Sequence, residues 1–234
     1  MLIAGQRGLA APSKRGLYAA TILVLCLTVL ASCGKQQSNV PHGMGPLAPF
    51  LDIGTRGMWT GVLKDGVYSL TNTQEPRALR TITLLRTTDA KYSVGVDISF
   101  EGTVSGIAGL VFAHNAPEKH YYLLALQPSG RLVLYNRTAS SLSIALETKA
   151  KLKPGFNRLS FEGEGNSVVI KVNGEKVASH VAQGLSEGGA GIAALGTGTY
   201  QFTNFEATGY KRDTAPPPAA QSSSGATPAA PKPN

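Results

Sequence analysis

Tyr92-Ser93-Val94-Gly95-Val96-Asp97-Ile98-Ser99-Phe100 sets an apolar side chain at every second position, with small or polar residues between. A helix would scatter Tyr92, Val94, Val96, Ile98 and Phe100 around its circumference, whereas a strand puts all five on one face. The stretch therefore reads as a strand with one buried and one wet face. The same period of two runs outward in both directions. It predicts strands at 58–63, 67–71, 79–85, 107–113, 121–126, 132–135, 142–146, 157–162, 168–172, 192–195 and 200–207. Turn chemistry separates them: Asp65-Gly66, Ser129-Gly130 and Asn173-Gly174 lie between apolar runs. Asn-Gly within VVIKVNGEKVA (168–178) marks a two-residue hairpin whose central residues need positive φ.

Two stretches are apolar on both faces, GIAGLVFA (106–113) and YYLLAL (121–126), and are expected to be the central strands of two stacked sheets. TASSLSIALETKAK (138–151) has helical length, but its Ser/Thr content and the alternation of Leu142, Ile144 and Leu146 favour strand. No other stretch offers a capped 3.6-residue period. Residues 50–210, about 160 in all, suffice for a single core. A dozen short strands with glycine-rich turns predict an all-β jelly-roll β-sandwich of two antiparallel sheets.

The order of Trp59, DGVYSL (65–70), SGIAGLVF (105–112), HYYLLALQPSGRLVLY (120–135), KPGFNRLSFEGEGNSVVIKVNGEKV (153–177), GGAGIAAL (188–195) and YQFTNFEATGY (200–210) resembles the concanavalin A-like lectin/glucanase superfamily. The likeness is nearest to the laminin-G-like and 3-keto-disaccharide-hydrolase-like branches. It implies structural roles for Gly174, which turns a hairpin, and for Phe202 and Phe205, which close the core. Trp59 also reads as core.

The chain before residue 34 decides where such a domain works. Arg7, Lys14 and Arg15 precede an apolar run from Leu17 to Ala31, with no acidic residue before it. As a helix that run covers roughly 22 Å, short of the ~30 Å hydrocarbon core, so it reads as a secretory leader. Leu30-Ala31-Ser32-Cys33 resembles the lipobox of bacterial lipoproteins. The resemblance implies that Cys33 becomes the first mature residue and carries a diacylglyceryl thioether and an N-acyl chain, an effectively permanent membrane anchor. Cys26 leaves with the leader, so neither disulfide nor cysteine metal site is expected. The organisation expected is thus a signal peptide at 1–32, a lipidated tether at 33–49, the sandwich at 50–210 and a Pro/Ala/Ser-rich disordered tail at 211–234. Gly34 lacks the aspartate that retains enterobacterial lipoproteins in the inner membrane, so the implied location is the cell envelope, at the outer membrane. Removing the leader's three cations from a formal +8 leaves +5, with no Lys/Arg run of the kind that tracks phosphates. Nucleic acid is not an expected partner.

Candidate chemistry is sparse. Laminarinase-type members of the superfamily use Glu-x-Asp-x-Glu on one strand; here Asp97-Ile98-Ser99-Phe100-Glu101 keeps Asp97 and Glu101 on one face but replaces the middle acid with Ser99. At i and i+4 in a strand the two acids start about 13 Å apart at Cα. Retaining hydrolysis needs carboxyls at ~5–5.5 Å and inverting hydrolysis ~6.5–9.5 Å. Where a hydrolase of the 3-keto-disaccharide type would carry acidic or Gln/Glu-rich positions, this chain has YYLLAL. Gly184-Leu185-Ser186-Glu187-Gly188 matches G-x-S-x-G, but a glycine-rich strand follows it rather than a helix, and it reads as a loop. Gly189-Ala190-Gly191-Ile192-Ala193-Ala194 matches G-x-G-x-x-A without a βαβ context. AHNAPEKHYY (113–122) joins two apolar strands and supplies His114, Asn115, Glu118, His120 and Tyr122, side chains able to bond or stack on a sugar. These are the candidate ligand residues. No acidic loop supplies the oxygens of a dedicated calcium site, and no cofactor is expected. The function expected is a membrane-anchored, non-catalytic sandwich that binds a glycan or an envelope protein, with a glycoside-processing hydrolase and a structural scaffold as alternatives.

Overall fold

The computed structural model describes residues 43–87 and 89–212. The leader, Cys33, most of the tether and the tail beyond residue 212 lie outside the described residues. Fifteen strands follow a short 3-10 helix at Gly45–Phe50: β1 Gly54–Arg56, β2 Trp59–Lys64, β3 Val67–Asn72, β4 Leu79–Thr87, β5 Lys91–Glu101, β6 Ile107–Asn115, β7 His120–Leu126, β8 Arg131–Arg137, β9 Leu142–Lys149, β10 Asn157–Glu164, β11 Ser167–Val172, β12 Glu175–Val181, β13 Gly189–Leu195, β14 Gly198–Thr208 and β15 Tyr210–Arg212. They form two antiparallel sheets, an eight-stranded one in the order β1-β2-β3-β14-β5-β10-β11-β12 and a seven-stranded one in the order β15-β4-β13-β6-β7-β8-β9. The all-β jelly-roll sandwich is thus the observed architecture.

The opening stretch behaves as its period dictates. In β5, Tyr92, Val94, Val96 and Ile98 are buried, while Ser93, Asp97 and Ser99 on the other face are partly open. Phe161 of β10 meets Phe112 of β6 across the sandwich at 4.4 Å between ring centroids, and Trp59 and Phe100 flank Tyr200 at 6.0 and 6.3 Å. Phe202 and Phe205 are buried in the same core. Asn173 and Gly174 have φ of 53° and 85°, as the two-residue hairpin between β11 and β12 requires. Residues 142–149 are a strand.

Two expectations are corrected. First, β6 and β7 are not central strands of separate sheets: they are neighbours in the middle of the seven-stranded sheet, with Leu110 paired to Leu124 and Phe112 to Tyr122. Their second apolar face is therefore turned away from the sandwich core. Second, residues 43–49, expected to belong to the tether, pack against the sandwich. Met44 and Leu47 are 1% and 0% exposed, and the Phe205 amide donates to the Gly43 carbonyl at 3.1 Å. Pro46 and Pro49 hold φ near the value a 3-10 turn uses, which lowers the entropy lost when this segment docks. Asp52, just beyond it, accepts from the Arg80 guanidinium of β4 while its carbonyl accepts from the Tyr68 hydroxyl of β3 at 2.9 Å. The segment thereby ties one sheet to the other.

Candidate functional site

The outward face of β6, β7, β8 and β13 is a groove of about 660 Å³. Its floor is a second apolar cluster, Ile107, Val111, Leu123, Ala125 and Ala193, with Tyr121, Tyr135 and Leu195 packed against it. The register of the β7–β8 hairpin builds the wall. Tyr121 lies opposite Arg137 and Leu123 opposite Tyr135, so two tyrosines and an arginine stand side by side on one face. Arg77, Leu79, His114, Ala116, Lys119 and Leu142 complete the lining. Burial raises the Tyr121 phenol, and the Arg137 charge nearby opposes that shift. Tyr121 is thus a neutral ring with a hydroxyl at neutral pH.

His114 reaches this groove through a β-bulge. Simple alternation from the buried Phe112 would turn residue 114 into the core. The pairing of β6 with β7 slips between Phe112 and Asn115, and Ala113 adopts φ 49° with its methyl still in the core. That left-handed backbone costs a non-glycine residue roughly 1–2 kcal/mol. The slip sends His114 outward, where its ring centroid is 6.0 Å from that of Tyr121 and its Nδ1 lies 3.3 Å from Thr83 Oγ1 of β4. The strand between, β13, carries Gly189 and Gly191 there and leaves room for the crossing. Burial lowers the His114 pKa, so the ring is neutral at neutral pH.

The other residues of the 113–122 stretch go elsewhere. Asn115, Glu118 and His120 line a separate cleft of about 430 Å³ at the end of the sandwich, with Gln183 and with Gly184 and Glu187 of the G-x-S-x-G loop. Asn115 Oδ1 accepts from the Glu118 amide at 3.4 Å, which shapes the turn. Tyr122 is corrected from ligand residue to core residue: it is 3% exposed and stacks on Phe112 at 5.6 Å. The structure thus brings Asn115, Glu118 and His120 together and parts them from His114. The groove residues Arg77, Tyr121, Tyr135 and Arg137 escaped the sequence reading. Their signal was available in the two-sided hydrophobicity of 106–113 and 121–126, whose outer face no second layer of strands needed to cover.

Asp97 and Glu101 are on the outer face of the eight-stranded sheet, and neither lines the groove or the end cleft. Asp97 accepts from Arg158 Nη1 at 3.3 Å and from Asn204 Nδ2 at 2.7 Å, while Glu101 accepts from Gln201 Nε2 at 3.1 Å. Arg158 also bonds Glu206 at 2.6 Å. Asp97 is thus held in a network that joins β5, β10 and β14. Among the described residues no group of three or more His, Cys, Asp or Glu is placed to hold a metal, and no helix is long and apolar enough to cross a membrane.

No protein-family model matches the sequence, and no curated protein matches it. Solved structures similar to it include a Bacillus subtilis protein of unknown function with a galectin-like fold, at TM-score 0.51 and 14% identity over 66% of this chain and 89% of that chain. A functionally unknown protein from Saccharomyces cerevisiae is similar at TM-score 0.50 and 12% identity, over 69% and 97% of the two chains. The carbohydrate binding module CBM66 from Bacillus subtilis is similar at TM-score 0.47 and 18% identity, over 65% and 91%. At these identities the likeness to the first two shows the fold alone, a two-sheet β-sandwich.

Proposed function

We propose that this chain is an envelope lipoprotein, anchored through Cys33, whose β-sandwich binds a carbohydrate in the groove on the outer face of the seven-stranded sheet and catalyses no reaction on it. The observation that carries this reading is the pairing of Tyr121 and Tyr135 with an apolar floor and hydrogen-bonding groups at the edge. A sugar ring has the same division, with C–H faces that pack on aromatic rings and equatorial hydroxyls that need donors and acceptors. The engagement of Asp97 and Glu101 in structural bonds supports the non-catalytic part. No carboxylate lines the groove, so binding is expected to be the same with and without calcium or a chelator.

The test is a glycan array probed with the chain from Cys33 to Asn234, carrying Cys33→Ser to keep it free of lipid. A subset of glycans is expected to bind, and Tyr121→Ala or Tyr135→Ala is expected to weaken that binding about tenfold, the worth of one aromatic stacking contact. Binding of no glycan, or equal binding by both variants, would overturn the reading. The anchor is tested separately: globomycin, which blocks the lipoprotein signal peptidase, is expected to leave an uncleaved precursor.

A further inference from the structure

The groove holds positive charge that nothing answers. Arg77 stands at one end, on the loop that Asn72 fixes by bonding the Glu75 and Gly196 carbonyls at 2.8 and 3.0 Å. Lys119 and Arg137 stand at the other end, beside Tyr121. None of these three forms an ion pair among the described residues, whereas Arg80, Arg131 and Arg158 are each matched to Asp52, Glu147 and Asp97. No Asp or Glu lines the groove. The two carboxylates nearest in sequence are engaged elsewhere: Glu75 Oε1 accepts from the Arg77 backbone amide at 2.9 Å, and Glu118 lines the end cleft. A neutral sugar would need none of this. An arriving anion meets at each end a guanidinium that no carboxylate already occupies, in the fork geometry that suits carboxylate and sulfate.

We infer that the groove selects anionic saccharides, with Arg77 and Arg137 taking the carboxylate or sulfate groups and Tyr121 and Tyr135 the ring faces. This inference rests on the reading of the groove as a glycan site. By strand rise the distance from Ile107 to His114 along β6 is about 20 Å, so Arg77 and Arg137 engage charges on different residues of one oligosaccharide rather than a single monosaccharide.

The experiment is calorimetric titration of the Cys33→Ser chain with three oligosaccharides of equal length: an oligogalacturonide, a sulfated galactan fragment and a neutral oligogalactoside. At least one acidic ligand is expected to bind about tenfold or more tightly than the neutral one, and the comparison of the first two tells carboxylate from sulfate. Arg77→Gln and Arg137→Gln are each expected to weaken the acidic ligand several-fold more than the neutral one, and so to remove most of that advantage. Lys151→Gln with Lys153→Gln, outside the groove, is expected to change nothing. Tighter or equal binding of the neutral ligand, with Tyr121→Ala still harmful, would overturn the charge selection and leave the glycan site standing. Binding of none of the three would overturn both. Equal loss from the Lys151/Lys153 control would reduce the effect to non-specific attraction and overturn the inference.

Discussion

Leu47 has no solvent exposure, although Gly45-Pro46-Leu47-Ala48-Pro49 has the composition of a linker. One apolar side chain among prolines and glycines carries no period, so nothing local distinguishes a docked segment from a free one. By contrast Trp59 was legible as core from its place at the sandwich entry, and Phe202 and Phe205 from the family resemblance, although Phe205 follows a register shift that breaks the alternation. Leu47→Ala is expected to cost about 2–5 kcal/mol in urea denaturation, and a fragment beginning at Phe50 to melt well below one beginning at Gly43. Equal melting of the two fragments would return residues 43–49 to the tether. His114 and His180 supply a second prediction at this scale. Burial lowers both below the ordinary 6.5, so the unfolded chain binds protons more readily than the folded one. Their contribution is present in full above that value and is lost as pH falls from it toward the depressed folded values. Between pH ~7 and ~5 the Tm is expected to fall, and His114→Gln with His180→Gln to make the fall shallower. An unchanged slope would contradict the assignment.

Among the elements, β6 decides the site and was the hardest to read. Its strand character and central place were plain from GIAGLVFA, and so was the hairpin turn at Asn173-Gly174. The bulge was not, since Ala113 gives no sign that its φ is positive; only Gly188 and Gly189 opposite hint at irregular backbone. One slipped residue sends His114 to the groove while Asn115, Glu118 and His120 go to the end cleft, so a stretch of consecutive candidates became two sites. Gly188 holds that slip in place. Its φ is 79°, and a Cβ there would lie 2.7 Å from the His114 carbonyl oxygen. Backbone cannot move aside cheaply, so Gly188→Ala is expected to cost roughly 2 kcal/mol or more in denaturation and to weaken glycan binding by displacing His114 from Tyr121. A variant that keeps both stability and binding would show that the bulge does not position the groove.

For the whole molecule, fold class followed from periodicity, because a two-sheet sandwich imposes its alternation on nearly every strand. The proposed glycan site was less legible because it lies at the exception, two adjacent strands apolar on both sides. That pattern reads equally as buried strand or as the floor of a groove, and only sheet order separates the two. The proposed bilayer anchor rests on the sequence of residues 1–33 alone, outside the described residues. What joins fold to function is the outer face of the seven-stranded sheet. Backbone amide chemical-shift mapping, with a bound oligosaccharide from the array added to isotope-labelled Cys33→Ser chain, tests that face directly. The shifts are expected to cluster at His114, Tyr121, Leu123, Tyr135 and Arg137. Shifts centred on Glu118, His120 and Glu187 at the end cleft, or around Asp97 on the eight-stranded sheet, would contradict the account.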